Sequence, residues 1–532
     1  MEDKFLNDLP GAKLPSVQYD GHRTCLPGTW VQLVDDILGH IHDLQPDSPH
    51  ILWLSGPAGT GKSSVANSIA LHMDSLGRLA ASFRFNHNEA AQTPDISIGC
   101  LCHQISHFDP MLKSAVLAAL QRHGPNISCH AQTKKLLVDL ISDKVEIVGS
   151  IVIVIDALDE SSSDDVPVNG ITHEDLMHIV TEDLAHLPCF VKIIITSWEE
   201  GSLVTLMSQC GLCKHLQIID ALNVEEDIMQ YIHDRLNKIH HSQGRPHDWL
   251  TEKQIQELAC YCDSLFICAT VALQFIEGQP GTNPNVQLKT LLDSSCRLGS
   301  QAEAKLDALY KTVLEQSLKG LQADRSDSEH CDEISNWQRV LGAIVSLRTP
   351  LTIAAMDVLL GLPTNSLETT WDIISSLLPV LKMDGEMKNE AQLLHKSVFD
   401  FLMTQATRDI YIDTALHNRM LAFNCLTCMN SVLKYDMKWI LPLQLPSLSA
   451  AANIKTGDVT AITYTCGHFI AHLASLMKDD PNPMDEPYIC ELNAFLTKHL
   501  LHWFEVMALL NDMSGAEQVL KLIAECLRVS CL

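Results

Sequence analysis

Apolar residues occur along the chain in two patterns, short unbroken runs and longer stretches with helical spacing. The runs have the length and composition of buried strands. In the first 220 residues, predicted strands at 51–55, 79–85, 151–155, 191–195 and 215–219 alternate with helical stretches such as 111–122 and 131–142. This alternation predicts a parallel sheet with helices on both faces.

The pattern changes after Asp220, because the spacing up to Lys319 is almost entirely helical. Residues 322–335 are polar and acidic without a hydrophobic period, which predicts a linker. Three helical patterns and two short apolar runs around Asp384 and Gly385 then predict a winged helix. We expect a leader at 1–45, an α/β core at 46–221, a helical domain at 222–330, a winged-helix domain at 331–405 and a helical C-terminal region at 406–532.

A glycine-rich loop joins the first predicted strand to a helix that begins at Lys62. Its residues, which fit the phosphate-loop pattern, are Gly56, Pro57, Ala58, Gly59, Thr60, Gly61, Lys62 and Ser63, followed by Ser64. Glycines here let backbone N–H groups surround phosphates, and the positive end of the helix adds to the attraction. Lys62 would contact the β and γ phosphates, and the Ser63 hydroxyl would bind Mg²⁺. The loop therefore predicts nucleoside triphosphate binding.

Acidic residues follow the apolar run 151–155. Asp156, at the end of a central strand, would bind Mg²⁺, usually through a water molecule. Glu160 is the candidate that orients or deprotonates the attacking water, with Asp159 as the alternative.

Hydroxyl residues end the fourth predicted strand. Thr196 and Ser197 could hydrogen-bond the γ phosphate or the attacking water, although a simple strand-end turn would look the same. No element typical of guanine selection is found, since the nearest match, Asn237 to His240, lies in a helical pattern. ATP is therefore favoured over GTP.

Composition limits the classes of partner. The chain has 37 Lys and Arg against 65 Asp and Glu, a net charge of −28, so nucleic acid would be repelled. No apolar run reaches the roughly 18 residues of a membrane span, and no signal peptide is found, which predicts a cytoplasmic protein. Two Cys-x-x-Cys pairs, Cys210 with Cys213 and Cys425 with Cys428, lack partners at zinc-finger spacing, so buried thiols are favoured over zinc.

These motifs resemble the NACHT NTPases of the STAND class, most closely the fungal proteins of this kind, which are akin to animal NOD-like receptors. The resemblance rests on GPAGTGKSSVANSIA, on DALDE with Ala157 after the magnesium aspartate, on CDSLFICATVALQFIE, on LLHKSVFDFL, and on YTCGHFIAHL with FLTKHLLHWFEVM. It covers roughly residues 17 to 515.

The resemblance implies a signalling switch that is closed with ADP and that opens and forms a homo-oligomer with ATP. A slow Mg²⁺-dependent ATPase activity would time this switch, in a role linked to innate or heterokaryon-type defence. His395 would contact the β phosphate of ADP and lock the winged helix, although a buried core histidine fits the same pattern. Such proteins usually add an effector domain and a repeat array. We identify neither, so the sensor and the effector would be missing or supplied by a protein partner.

Two departures from the resemblance leave the activity open. Trp198 stands where relatives commonly have an arginine, and Trp30 replaces another arginine upstream of the loop. Fast hydrolysis and sensing of the γ phosphate are therefore in doubt. The alternatives are a degenerate nucleotide-binding scaffold without turnover and a catalytic ATPase acting on a substrate, for which we find no acceptor-pocket or substrate-gripping motif.

Overall fold

The computed structural model describes most of the 532-residue chain. The described residues are 6–7, 9, 12, 18–45, 47–86, 94–123, 149–161, 173–184, 187–199, 201–221, 223–243, 250–278, 283–295, 302–322, 327–362, 367–383, 390–404, 410–437, 456–479, 486–510, 520–521 and 523. The predicted helical stretch 131–142 and the turn at Asp384 and Gly385 lie outside them. The chain divides into a first unit, residues 1–273 with 288–306, and a second unit, residues 274–287 with 307–532.

The first unit contains a five-stranded parallel sheet. Its strands are β1 (Ile51–Ser55), β2 (Leu79–Arg84), β3 (Ile151–Asp156), β4 (Val191–Ser197) and β5 (Cys213–Gln217), in the order β2-β3-β4-β1-β5. Helix α1 (Val31–His42) precedes β1. The helices between the strands are α2 (Lys62–Ser75), α3 (Pro94–Phe108), α4 (Pro110–His123), α5 (His173–His178) and α6 (Gly201–Gln209). The predicted parallel sheet with covering helices is therefore confirmed.

Both faces of the sheet are buried, as continuous apolar strands predict. Ile153 and Ile193, on adjacent strands, point to the face covered by α3 and α4, where they join one large apolar cluster. Their neighbours in sequence, such as Val154 and Ile194, are buried on the opposite face, where α2 packs. Because side chains alternate along a strand, Asp156 belongs to the same face as Val154 and α2.

The fifth strand differs from the sequence prediction. We predicted residues 215–219, but Cys213 and Lys214 pair with Ile51 and Leu52 and the strand ends at Gln217. Residues Ile218–Asp220 form a 3-10 turn instead. This edge strand is only partly buried, so its apolar residues do not mark its ends.

Helices follow the sheet. They are α7 (Val224–Gln243), α8 (Glu252–Cys262), α9 (Phe266–Glu277), α10 (Pro284–Ser295) and α11 (Ala302–Gln322), and the division between the two units falls within α9, α10 and α11. Helix α8 begins with a complete capping box, in which Thr251 and Gln254 satisfy each other's backbone N–H groups.

The second unit is mostly helical with a small antiparallel sheet. Its remaining elements are α12 (Asp327–Ser346), β6 (Leu351–Thr352), α13 (Ile353–Leu360), α14 (Leu367–Leu377), β7 (Leu381–Met383), β8 (Glu390–Leu393), α15 (Lys396–Leu402), α16 (Thr414–Val432), α17 (Thr456–Asp479), α18 (Glu486–Ala494) and α19 (Leu500–Leu509), with strand order β6-β8-β7. The predicted linker at 322–335 was wrong for residues 327–335, which belong to α12. Acidic residues stabilise the first turns of a helix through its dipole, so a polar, acidic stretch need not be a loop.

Candidate functional site

The loop between β1 and α2 has the backbone of a phosphate cradle. Gly56, Gly59 and Gly61 have φ angles of 151°, 80° and 102°, which residues with a Cβ rarely adopt. The Lys62 ammonium group lies across the loop and donates to the carbonyl oxygens of Gly56 at 2.7 Å and Pro57 at 2.9 Å. The Thr60 hydroxyl also donates to the Pro57 carbonyl, at 2.9 Å. The conformation of the loop is thus fixed by its own glycines, lysine and threonine.

Neighbouring side chains make two of these glycines sterically necessary. A Cβ at Gly56 would lie 2.4 Å from Ile218 Cγ2, and a Cβ at Gly59 would lie 2.0 Å from Ile267 Cγ2. The backbone N–H of Ile267 also donates to the Gly59 carbonyl at 3.0 Å. Helix α9 therefore packs directly against the loop at its first turn.

Asp156 lies at the carboxyl end of β3 and is only 4% exposed. Its Oδ1 accepts a 2.5 Å hydrogen bond from the Thr196 hydroxyl, on β4. Its Oδ2 is buried, and no described residue is within hydrogen-bonding geometry of it. The Thr196 oxygen accepts in turn from the backbone N–H of Ala157 at 3.0 Å, and Ala157 has a φ of 56°. Thr196 thus fixes both the carboxylate and the strained residue after it.

Burial raises the pKa of Asp156. Four groups act in the opposite direction: the hydrogen bond from Thr196, the charge of Arg84, the hydroxyl of Ser63 and the charge of Lys62. Ser63 and Lys62 therefore both lie close enough to Asp156 to act on its carboxylate, while their predicted roles towards phosphate and Mg²⁺ stay predictions. A buried carboxylate oxygen without a donor, next to a serine hydroxyl, fits the oxygen ligands that Mg²⁺ prefers.

The remaining predicted residues take different positions around Asp156. Asp159 is buried, and its Oδ1 accepts from the Trp198 backbone N–H at 2.9 Å. Glu160 is half-buried, in the 3-10 turn that follows β3. Ser197 is buried, and its hydroxyl accepts from the Trp53 indole at 2.7 Å. Of the two hydroxyl residues at the end of β4, Thr196 is therefore the one that contacts Asp156.

A polar chain connects the end of β1 with β5. His215 Nε2 lies 2.6 Å from the Ser55 hydroxyl, which donates to the Glu199 carboxylate at 2.7 Å. Because the Ser55 proton goes to Glu199, His215 Nε2 must donate to Ser55 and cannot accept its proton. Ser55 is therefore not an activated nucleophile, even though serine, histidine and glutamate lie together.

Two features of this region go beyond the sequence, from which Trp30 was identified only as a departure from the family pattern and Arg84 was not identified at all. Trp30 has a left-handed backbone, donates its N–H to Asp227 at 2.9 Å, and places its indole Nε1 3.2 Å from where a Cβ of Gly61 would lie. Its ring is 5.5 Å from that of Phe266. Arg84 ends β2 and is paired in register with Asp156. Long-range packing determines the contacts of both side chains, so the sequence does not predict these contacts.

His395 belongs to the second unit. Its Nδ1 caps α15 by accepting from the Ser397 backbone N–H at 3.1 Å, and the Ser397 hydroxyl lies 2.7 Å from that of Tyr310. The predicted contact of His395 with a phosphate stays a prediction.

Metal and membrane sites of other kinds are not found in the described part of the chain. No group of three or more His, Cys, Asp or Glu side chains that could hold a metal ion occurs there, and Cys210, Cys213, Cys425 and Cys428 are not in disulfide bonds. None of the described helices is both long enough and apolar enough to cross a membrane.

Comparison with known proteins gives one family match and one structural similarity. Residues 33–198, which include the glycine loop and Asp156, match the family described as Nephrocystin 3, N-terminal. The match supports the class-level resemblance to NACHT and STAND proteins. No curated protein matches the chain.

Among solved structures, the chain is similar to a Signal Transduction ATPase with Numerous Domains protein with a tetratricopeptide repeat sensor, from Pyrococcus horikoshii. The identity is 13% and the TM-score 0.39, with 93% of this chain and 64% of that chain covered. The chain thus spans slightly less than two thirds of the length of that protein.

Proposed function

We propose that this chain is a regulatory nucleotide switch of the STAND type that binds ATP and ADP at the loop from Gly56 to Ser64. The observation that supports this most directly is the arrangement of Lys62, Ser63 and Asp156. A phosphate cradle lies beside a buried carboxylate whose Oδ2 has no partner among the described residues. An isolated buried carboxylate oxygen is unfavourable, and a magnesium ion would satisfy it.

In this proposal the residues of the chain have separate roles. The backbone N–H groups of residues 56–64 and the Lys62 ammonium bind the phosphates, while Ser63 and Asp156 hold Mg²⁺, which neutralises phosphate charge when bound. Thr196 orients Asp156. Glu160, which is half-buried, positions or deprotonates the attacking water, and Asp159 is the second candidate because the Trp198 N–H already occupies one of its oxygens.

Slow turnover fits a switch better than a metabolic ATPase. Trp198 is 38% exposed at the end of β4, where its indole brings no positive charge to a terminal phosphate. We further propose a winged helix formed by α12, α13, α14 and the β7–β8 pair, closure by His395 on ADP, and oligomerisation with ATP. A cytoplasmic location, a fungal defence role and a partner that supplies the sensor or effector complete the proposal.

A scaffold that binds nucleotide without turnover is the second candidate, favoured by the same Trp198. Turnover separates the possibilities: sustained hydrolysis indicates a catalytic ATPase, slow hydrolysis a switch, and none a scaffold. A colorimetric phosphate assay with Mg²⁺ and ATP makes this measurement, with Glu160→Gln and Asp159→Asn compared in parallel.

The occupancy of the site tests the proposal. Purified protein is denatured, and the released nucleotide is identified by chromatography, with Lys62→Ala compared in parallel. We expect ADP from the wild type and a loss of about 10- to 100-fold in the variant, because a charge-assisted phosphate contact is removed. A wild-type protein that releases no nucleotide and also fails to bind added ATP with Mg²⁺ would contradict the switch. Such a protein would be a scaffold that does not bind nucleotide.

A further inference from the structure

Arg84 is a charged side chain beside the nucleotide site that the proposed function does not use. It is the last residue of β2 and is paired in register with Asp156 on the neighbouring parallel strand. Residues in register on adjacent strands point to the same face of a sheet. Arg84 therefore shares the face of Asp156, Thr196 and helix α2, at the edge where the glycine loop lies.

The side chain of Arg84 makes no hydrogen bond or ion pair with any described residue, although the Asp156 carboxylate lies in its neighbourhood. Its side chain is half-buried, and its Nε is buried with no hydrogen-bond partner among the described residues. No ion pair joins its guanidinium to a carboxylate in the described part of the chain. It is nevertheless close enough to Asp156 for its charge to favour the ionised carboxylate. A buried guanidinium N–H without an acceptor is unfavourable, and a ligand that offers oxygen acceptors beside Arg84 would satisfy it.

We propose that Arg84 binds the terminal phosphate of the nucleoside triphosphate and so distinguishes ATP from ADP. This inference rests on the proposed function. Lys62 crosses the glycine loop from the β1 side, while Arg84 approaches from the β2 side of Asp156, so the two cations flank the position of the metal. A guanidinium can make two parallel hydrogen bonds to phosphate oxygens. Such a contact requires the third phosphate, because the first two are held within the loop.

The arrangement also accounts for the tryptophan at the end of β4. Trp198 supplies no charge to the terminal phosphate, and Thr196 is already bonded to Asp156. Recognition of the triphosphate state would then come from β2. In a switch, differential contacts with the two nucleotides are what shift the equilibrium between conformations.

The test compares the affinities of the full chain for a non-hydrolysable ATP analogue, AMP-PNP, and for ADP, both with Mg²⁺, by isothermal titration. For Arg84→Met we expect triphosphate affinity to fall about 10- to 100-fold while ADP affinity stays within about twofold, and for Arg84→Lys an intermediate loss. Arg78→Met, which removes an equal charge just before the amino end of β2, should leave the ratio of the two affinities unchanged.

Other outcomes overturn the inference in distinguishable ways. Equal losses for both nucleotides, or no loss for either, would show that Arg84 does not contact the third phosphate. If Arg84 acted only through the charge of Asp156, its effect would disappear in an Asp156→Asn background, whereas direct contact predicts that the effect persists. A wild-type protein that binds neither nucleotide would instead refute the proposed function itself.

Discussion

At the scale of single residues, the position of Asp156 depends on one hydroxyl. The Thr196 hydroxyl donates to Oδ1 and accepts from the N–H of Ala157, which leaves Oδ2 as the carboxylate oxygen to which we assign the metal in the proposed function. The site therefore needs a residue at position 196 that both donates and accepts, and valine can do neither.

Replacing Thr196 tests this role. We expect Thr196→Val to weaken Mg²⁺-dependent ATP binding by roughly tenfold, because Asp156 loses a hydrogen bond to its charged form. The same loss raises the pKa of Asp156 further, so the pH below which Mg²⁺-dependent binding disappears should move upward. Thr196→Ser should restore both properties, and Thr205→Val, on an exposed face of α6, should change neither. Wild-type Mg²⁺ and pH dependence in Thr196→Val would exclude the role.

The sequence predicted part of this site. The glycine loop, Ser63 and Asp156 were predicted because each lies within a local motif, at the end of an apolar strand or the start of a helix. Arg84 was not predicted, because only the pairing of β2 with β3 places it beside Asp156. The sequence also did not predict which of Thr196 and Ser197 contacts Asp156, since this depends on which side chain points to the face of the sheet covered by α2.

At the scale of elements, the glycine loop and helix α9 are packed so closely that the loop tolerates no side chain at Gly59. A Cβ there would lie 2.0 Å from Cγ2 and 2.8 Å from Cβ of Ile267, in addition to the strain of a positive φ. The strain and the clash are separate contributions to the free energy of unfolding.

Two glycine variants separate the effect of backbone strain from that of the steric clash. Gly77 has a positive φ of 64° but nothing within 4 Å of its Cβ position, so Gly77→Ala measures strain alone. We expect Gly77→Ala to lower the free energy of unfolding by about 1 kcal/mol and Gly59→Ala by roughly 2 to 4 kcal/mol, measured by urea denaturation. Adding Ile267→Ala should recover part of the difference. Equal effects of the two glycine substitutions would mean that α9 moves away from a Cβ at position 59 without a cost in free energy.

Element boundaries were predicted where burial is complete and less well where it is partial. The first strand, Ile51–Ser55, agrees with the prediction because all five of its residues are buried. Strand β5 was displaced by two residues and α12 was partly taken for a linker, because an edge strand and a polar helix start lack a periodic apolar signal.

At the scale of the whole molecule, a group of basic side chains lies at the other end of the sheet, far from the loop. Lys192 on β4 is completely buried and donates to the Ser48 hydroxyl at 3.1 Å and the Pro49 carbonyl at 3.0 Å. Burial, and then the charges of Lys192 and Lys214, lower the pKa of His40 to about 4. His40 Nε2 is buried and has no partner among the described residues.

This histidine makes stability depend on pH. Because its folded-state pKa lies below the unfolded value of 6.5, the neutral form is favoured by folding. Its contribution should be complete above about pH 6.5 and decrease towards pH 4, by at most roughly 3 kcal/mol. We expect His40→Leu to reduce this loss in urea denaturation series, and His42→Leu, on the exposed side of the same helix, to leave it unchanged. Identical pH profiles for wild type and His40→Leu would contradict the assignment.

The central claim, that a nucleoside triphosphate binds at the loop from Gly56 to Ser64 with Mg²⁺, is tested most directly by equilibrium titration. Nucleotide-free protein is titrated with ATP in Mg²⁺ and in EDTA, with Lys62→Ala and the exposed Lys253→Ala in parallel. We predict saturable binding at one site per chain, strengthened by Mg²⁺, unaffected in Lys253→Ala and weakened about 10- to 100-fold in Lys62→Ala. Equal binding by wild type and Lys62→Ala, or no binding by either, would contradict the claim.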